Sequence, residues 1–197
     1  MAELDKQRIA ATALALIDKQ GLAGFTMRAV AEAMGVTPMA LYHHVKDKAG
    51  LAALVLDAAT RERPLPPPTG DWREDLWAMA LWTRRSTFAH PALARLRSDY
   101  QVWTPSMLQL TERWMTLWQQ AGLSLEKAVR AGTLTSMVIV GLLEQETAHG
   151  HMDHPDESLL ALLPNARHAF AATGDREAEF EMVVRAVIDG LHARLRG

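Results

Sequence analysis

Apolar residues recur along this chain at intervals of three and four, and no stretch alternates as a half-buried strand would. The pattern therefore predicts an all-α protein. Ile9, Ala13, Leu16 and Ile17 form one stripe of a first helix over about 4–20, and Gly21 and Gly24 mark its end and the loop that follows. Thr26 is a good N-cap, because its hydroxyl can accept a free amide of the first turn. Met27, Val30, Ala31 and Met34 then make one apolar face, and Gly35 stands where a helix often needs positive φ. Thr37 caps again, with Pro38 at the first helical position, where its missing N–H costs nothing. On this second short helix Leu41 and Val45 point one way, leaving Met39, His43, His44 and Lys46 on other faces. Helix, tight turn and a second helix dressed in this manner is the helix-turn-helix pattern that enters a DNA major groove.

Asp47 caps a fourth helix over about 48–62, with Leu51, Leu54, Val55 and Ala58 inward. Pro64, Pro66, Pro67 and Pro68 then stop any helix and form a stiff connector. The expected organisation is a helix-turn-helix domain over 1–63 (motif 26–45), a connector over 64–70, and a larger helical domain over 71–197. Helices are expected in that domain at about 71–89, 92–98, 105–121, 124–148, 157–172 and 176–195. Pro91 and Pro105 sit near helix starts, Gly122 closes a helix, and Ser124 caps the next. The helices over 124–148 and 176–195 are apolar on more than one face, through Val138, Ile139, Val140, Leu142 and Leu143, then Met182, Val183, Val184, Val187, Ile188 and Leu191. A helix apolar around much of its girth must bury a second face, and a symmetric partner would cover it as a four-helix dimer interface.

Composition narrows the class. Apolar residues are 49% of 197, enough for one or two domains with a core. There are no cysteines, so disulfides and thiolate metal sites are excluded. No apolar run approaches the ~18 residues of a membrane span, and the N-terminus has no signal-peptide core, so a cytoplasmic protein with no membrane partner is expected. Net charge is −2, divided as +1 over 1–63 and −3 over 64–197. With so few cations to spare, non-specific DNA binding should be modest, and a dimer would double the contacts.

All six tryptophans, Trp72, Trp77, Trp82, Trp103, Trp114 and Trp118, fall between positions 72 and 118. Core packing accounts for such rings one at a time, whereas several together also suit an apolar small-molecule cavity. Arg84 and Arg85 diverge by about 100° on a helix, so no more than one of them can meet a ligand carboxylate, and the other is expected to face solvent. The run His149, His151, Asp153 and His154 has zinc-ligand chemistry, although a solvated loop after a long helix is the plainer reading. The alternative function is thus an all-helical enzyme or metal-binding protein using the 149–154 loop. No nucleophile–base pairing or phosphate loop supports catalysis, and neither a cofactor nor a metal is expected.

The segments GLAGFTMRAVAEAMGV and LYHHVKDKAGL resemble the tetracycline-repressor (TetR) family of bacterial transcription regulators. The resemblance is carried most by the run Tyr42-His43-His44-Val45-Lys46-Asp47-Lys48, and continues in AGLSLEKA, GLLEQETAH and FEMVVRAVIDGLHARL. It implies a homodimer on a palindromic double-stranded operator, and a larger domain that binds a small effector and lowers operator affinity. By position, Arg28 matches an arginine that reaches a guanine; Thr37, Pro38, Met39, Ala40 and His43 occupy the recognition face; Tyr42, His44 and Lys48 match phosphate contacts, with Lys46 beside them. Pro38, Met39, Ala40 and His43 differ from the tetracycline repressor's own residues, which implies a different operator. The effector site is expected at Trp82, Arg85, Phe88, Tyr100, Trp103, Trp114, Trp118 and Met137. Tyr100 stands where that repressor has a magnesium-binding histidine, and Trp82 where it has a drug-contacting asparagine. A neutral phenol is a poor magnesium ligand, so a more apolar effector without metal is implied.

Overall fold

Four caps of one kind start the first helices. A side-chain oxygen at Asp5, Thr26, Thr37 and Asp47 accepts the amide three residues on, at 2.7, 3.0, 3.2 and 2.7 Å. Each such cap is worth about 1 kcal/mol against alanine. They open α1 (Lys6–Gln20), α2 (Met27–Met34), α3 (Pro38–Tyr42) and α4 (Lys48–Glu62). The coordinates are a computed structural model, and they describe residues 4–148, 156–171 and 174–197. The histidine-rich run 149–154 lies outside the described residues. Helices and one 3-10 turn, Gly21–Gly24, make up the regular structure, with no strand among the described residues.

Gly35 joins α2 to α3 at φ 67°, ψ 31°, and the amides of Gly35 and Val36 close back on Glu32 and Ala31. That left-handed turn favours glycine because a Cβ would strain the backbone. α3 ends at Tyr42, earlier than the motif end expected at 45, but the amides of His44 and Val45 still bond the Leu41 carbonyl. The last turn is tightened rather than absent, and Val45 stays buried.

One compact unit comprises residues up to Pro67 together with Leu81–Thr116. Its core gathers Ile9, Ala13, Ile17, Phe25, Val30, Leu41, Leu51 and Val55, and also Leu93 and Leu96 of α6 (Ala92–Tyr100). Packing therefore divides the chain differently from the proline connector: α6 joins the helix-turn-helix helices, because its two leucines complete their core. Residues 64–69 carry no helix, as four prolines require.

The other unit comprises Pro68–Ala80 and Leu117–Gly197. Parts of α5 (Trp72–Ala89) and α7 (Pro105–Gln120) belong to it, with α8 (Leu125–Ala148), α9 (Glu157–Ala161), α10 (Pro164–Ala171) and α11 (Arg176–Arg196). The single helix expected over 157–172 is two, because Pro164 has no N–H and disfavours helical geometry in the residue before it. α8 packs on α11, and Ala128, Ala131, Ile139 and Leu143 of α8 and Phe180, Val184 and Ile188 of α11 are buried. Trp72 touches both Trp118 and His192, whose Nε2 donates to the Ala121 carbonyl at 2.9 Å. Arg185 forks onto both carboxylate oxygens of Glu74 at 2.8 and 3.0 Å and onto Glu181 at 2.7 Å, tying α5 to α11.

Candidate nucleic-acid interface and effector site

α3 is held from beneath. Leu41 is fully buried and Val45 nearly so, in the same cluster as Val30, Ala31 and Met34 of α2. What remains faces outward: Thr37, Pro38, Tyr42 and His43 are exposed, Met39 is 69% exposed, and Ala40 and His44 are half-buried. An exposed methionine beside a tyrosine and two histidines has no packing use in this unit. It can meet a thymine methyl, while the hydroxyl and imidazoles can meet phosphate or base edges. Arg28 is exposed on the first turn of α2, and Lys46 and Lys48 flank Asp47 at the start of α4. None of these three cations is held in an ion pair among the described residues, so their charge is available to a polyanion. The Lys48 ammonium lies 5.4 Å from the centre of the Phe25 ring.

The residues expected at an effector are placed as follows. In the first unit, Trp82 is buried and its indole N–H donates to the Arg63 carbonyl at 3.2 Å. Arg85 is exposed, and Phe88 is partly covered by the Arg84 guanidinium at 5.1 Å. The Tyr100 ring meets Phe25 at 5.9 Å and 79°. Trp103 is 70% exposed and Trp114 half-buried. In the second unit Trp118 is fully buried, and its N–H has no partner among the described residues. Met137 is exposed on α8, in an apolar groove of about 370 Å³ with Leu134, Val138, Val187, Gly190, Leu191 and Arg194. A cleft of about 300 Å³ in the first unit is lined by Ala59, Glu62, Arg63, Pro64, Ser86, Ala89 and His90. Trp82, Arg85, Phe88, Tyr100, Trp103 and Trp114 line neither space.

Two polar linkages go beyond what the sequence predicts. Asp57 of α4 accepts the Ser106 amide at 3.1 Å and its hydroxyl at 2.6 Å, capping the first turn of α7. Burial alone would raise the Asp57 pKa, but the Ser106 bonds and the Arg61 charge outweigh it and lower it. A lone carboxylate in the apolar run around Leu56 is the one sequence signal for it. His90 is bonded to Asp18 and Glu62, and nothing in its neighbours' spacing points to either. Among the described residues no group of histidines and carboxylates is arranged to hold a metal ion, and no helix is long and apolar enough to cross a membrane.

Comparison with known proteins covers both parts of the chain. Residues 9–55 match the family of bacterial regulatory proteins called tetR, and residues 63–195 match the tetracyclin repressor-like C-terminal domain. ActR from Streptomyces coelicolor in complex with actinorhodin superposes with a TM-score of 0.80 at 29% identity, over 99% of this chain and 98% of that one. An HTH-type transcriptional regulator of Saccharopolyspora erythraea is 29% identical over 201 residues, spanning 96% of this chain and 85% of its own. The class E tetracycline repressor protein of Escherichia coli is 28% identical over 200 residues, spanning 99% and 94%. These relatives are regulators, and this chain matches both the N-terminal and the C-terminal family models. The chain belongs to the tetR family, and it is a ligand-responsive DNA-binding transcriptional regulator.

Proposed function

We propose that the protein is a repressor, acting in the cytoplasm as a homodimer on a palindromic operator and released from it by a small, largely apolar effector, without catalysis. The observation that carries the reading is the outward face of α3, where Met39 is 69% and Tyr42 47% exposed while Leu41 between them is buried. Arg28 reads a base, and Thr37, Pro38, Met39, Ala40 and His43 meet base edges. Tyr42, His44, Lys46 and Lys48 hold phosphates. The DNA-binding domain is the segment 1–63 before the connector 64–70, and the effector and dimerisation domain is 71–197, with α6 of the latter packed into the core of the former. Supporting dimerisation is the apolar groove of α8 and α11, whose exposed Leu134 and Met137 want a cover.

The effector binds among Trp82, Arg85, Phe88, Tyr100, Trp103, Trp114, Trp118 and Met137. Trp118 offers the one donor in this set that is both buried and unpaired, which suits an effector carrying a carbonyl or ether acceptor. ActR, solved in complex with actinorhodin, is a precedent for a bound ligand in a relative of this fold. Ligand releases DNA because it binds one of two conformations better; a coupling of about 1–3 kcal/mol changes operator affinity roughly 5–150-fold.

The test is a gel shift on duplexes selected from random DNA by the protein. A sequence-dependent complex that weakens as salt rises is expected; no selected sequence, or binding indifferent to sequence, would sink the reading. Aromatic metabolites are then screened by thermal stabilisation and tryptophan fluorescence, and those that stabilise should dissolve the complex.

A further inference from the structure

Phe25 lies between the 3-10 turn Gly21–Gly24 and Thr26, the cap of α2, and is 1% exposed. Its ring has two neighbours of different kinds. One is the Lys48 ammonium, 5.4 Å from the ring centre, within the distance at which a ring attracts a cation. The other is the Tyr100 ring at 5.9 Å and 79°, an edge-to-face arrangement. Tyr100 is the last residue of α6, and Gln101 after it takes φ 48°, ψ 36°, the positive-φ position among described residues that is not glycine. An L-residue is strained there, so the end of α6 is a joint held against its own preference.

A lysine has a long flexible stem, and ordering it on a phosphate loses rotamer freedom. An ammonium already parked over a buried ring loses less. We propose that Phe25 is a positioning residue for DNA binding: its ring holds Lys48 ready for a phosphate, and Tyr100 at the end of α6 sets that ring. This rests on the reading of Lys48 as a phosphate contact. A change at the end of α6 then reaches the DNA backbone through two ring contacts. The competing account is that Phe25 only fills the core with Ile9, Val30 and Leu41.

Salt dependence separates the two. The slope of log affinity against log salt falls by about 0.9 for each phosphate that the protein no longer neutralises. The probe is the operator duplex selected with the full-length protein. Lys48→Met should lower the slope by that amount per half-site. Phe25→Leu keeps an apolar side chain and every charge, yet should lower it too, and the double variant should lose no more than Lys48→Met alone. Tyr100→Leu should lower the slope in part, while Tyr100→Phe, which keeps the ring, should not. A wild-type slope for folded Phe25→Leu overturns the positioning role and leaves the DNA reading standing. A wild-type slope for Lys48→Met removes Lys48 from the phosphate contacts, and both fall. Should Phe25→Leu fail to fold, the wild-type protein decides: the Lys48 ε-methylene protons should be shifted upfield by the Phe25 ring and return toward free-lysine values in Tyr100→Leu. Free-lysine values in the wild type would overturn the proposal.

Discussion

His90 Nε2 stands 2.8 Å from a carboxylate oxygen of Glu62, while its Nδ1 stands 3.0 Å from both oxygens of Asp18. Carboxylates only accept, and a neutral imidazole has one N–H to give, so both bonds together need the imidazolium. This cation joins α1, the last residue of α4 and the residue following α5. Burial alone would lower the His90 pKa, but the hydrogen bonds and charges of Asp18 and Glu62 outweigh it and hold it above the ordinary 6.5. A raised folded value means the contribution is full below the unfolded pKa and is lost as pH climbs through the folded one. The melting temperature should therefore decline from about pH 6.5 upward, and His90→Asn should remove that component. Thermal melts of both proteins across this range check it; a constant gap between them would contradict the linkage.

Gln101 gives a stability prediction of the opposite sign. Its φ of 48° suits glycine better than any L-residue. Gln101→Gly relieves the strain but frees the unfolded chain, leaving a net gain of about 0.5–1 kcal/mol. A raised denaturant midpoint with unchanged slope is expected. A lowered midpoint would mean that the Gln101 side chain contributes more than its backbone costs.

Met137 tests the dimer. It is 66% exposed on a single chain and lines the groove of α8 and α11. If a second copy covers that groove, Met137→Asp buries two carboxylates in an interface lined by apolar side chains with Arg194 at its side. Each such burial costs several kcal/mol, so the dimer should weaken by at least ~100-fold. Sedimentation at micromolar concentration should find a dimer for the wild type and a monomer for the variant. A variant that remains dimeric places the interface elsewhere.

Much of this architecture is legible in the sequence because its signals are local. Thr26, Thr37 and Asp47 each announce a helix three residues before the amide they accept, and Gly35 announces the turn. The bounds of α4 follow directly from Asp47 at one end and the prolines at the other. Pro164 is equally local, yet the apolar pattern runs on across it and hides the break between α9 and α10. Long-range pairings leave no such trace. Tyr100 reaches Phe25 across 75 positions, and no periodicity encodes which ring another will meet. The same holds for Ser106 on Asp57 and for His90 on Asp18. The exposed face of α3 is legible for the opposite reason: its polar and oversized residues break the pattern that burial would impose.

Arg28 carries the sharpest prediction about sequence reading. It is exposed on the first turn of α2, and no described residue pairs with its guanidinium. A guanidinium presents parallel donors that match O6 and N7 of guanine together, which no other base pair offers in the same places. Arg28→Ala should therefore cost about 1–3 kcal/mol on the operator and almost nothing on duplexes already changed at the base pair it reads. A phosphate contact behaves otherwise: its loss weakens every duplex alike and lowers the salt slope by about one unit. Affinities of wild type and Arg28→Ala on the operator and its single-base variants decide between these roles. One base pair whose identity ceases to matter marks Arg28 as a base reader, whereas an equal loss on every duplex would assign it to the phosphate backbone.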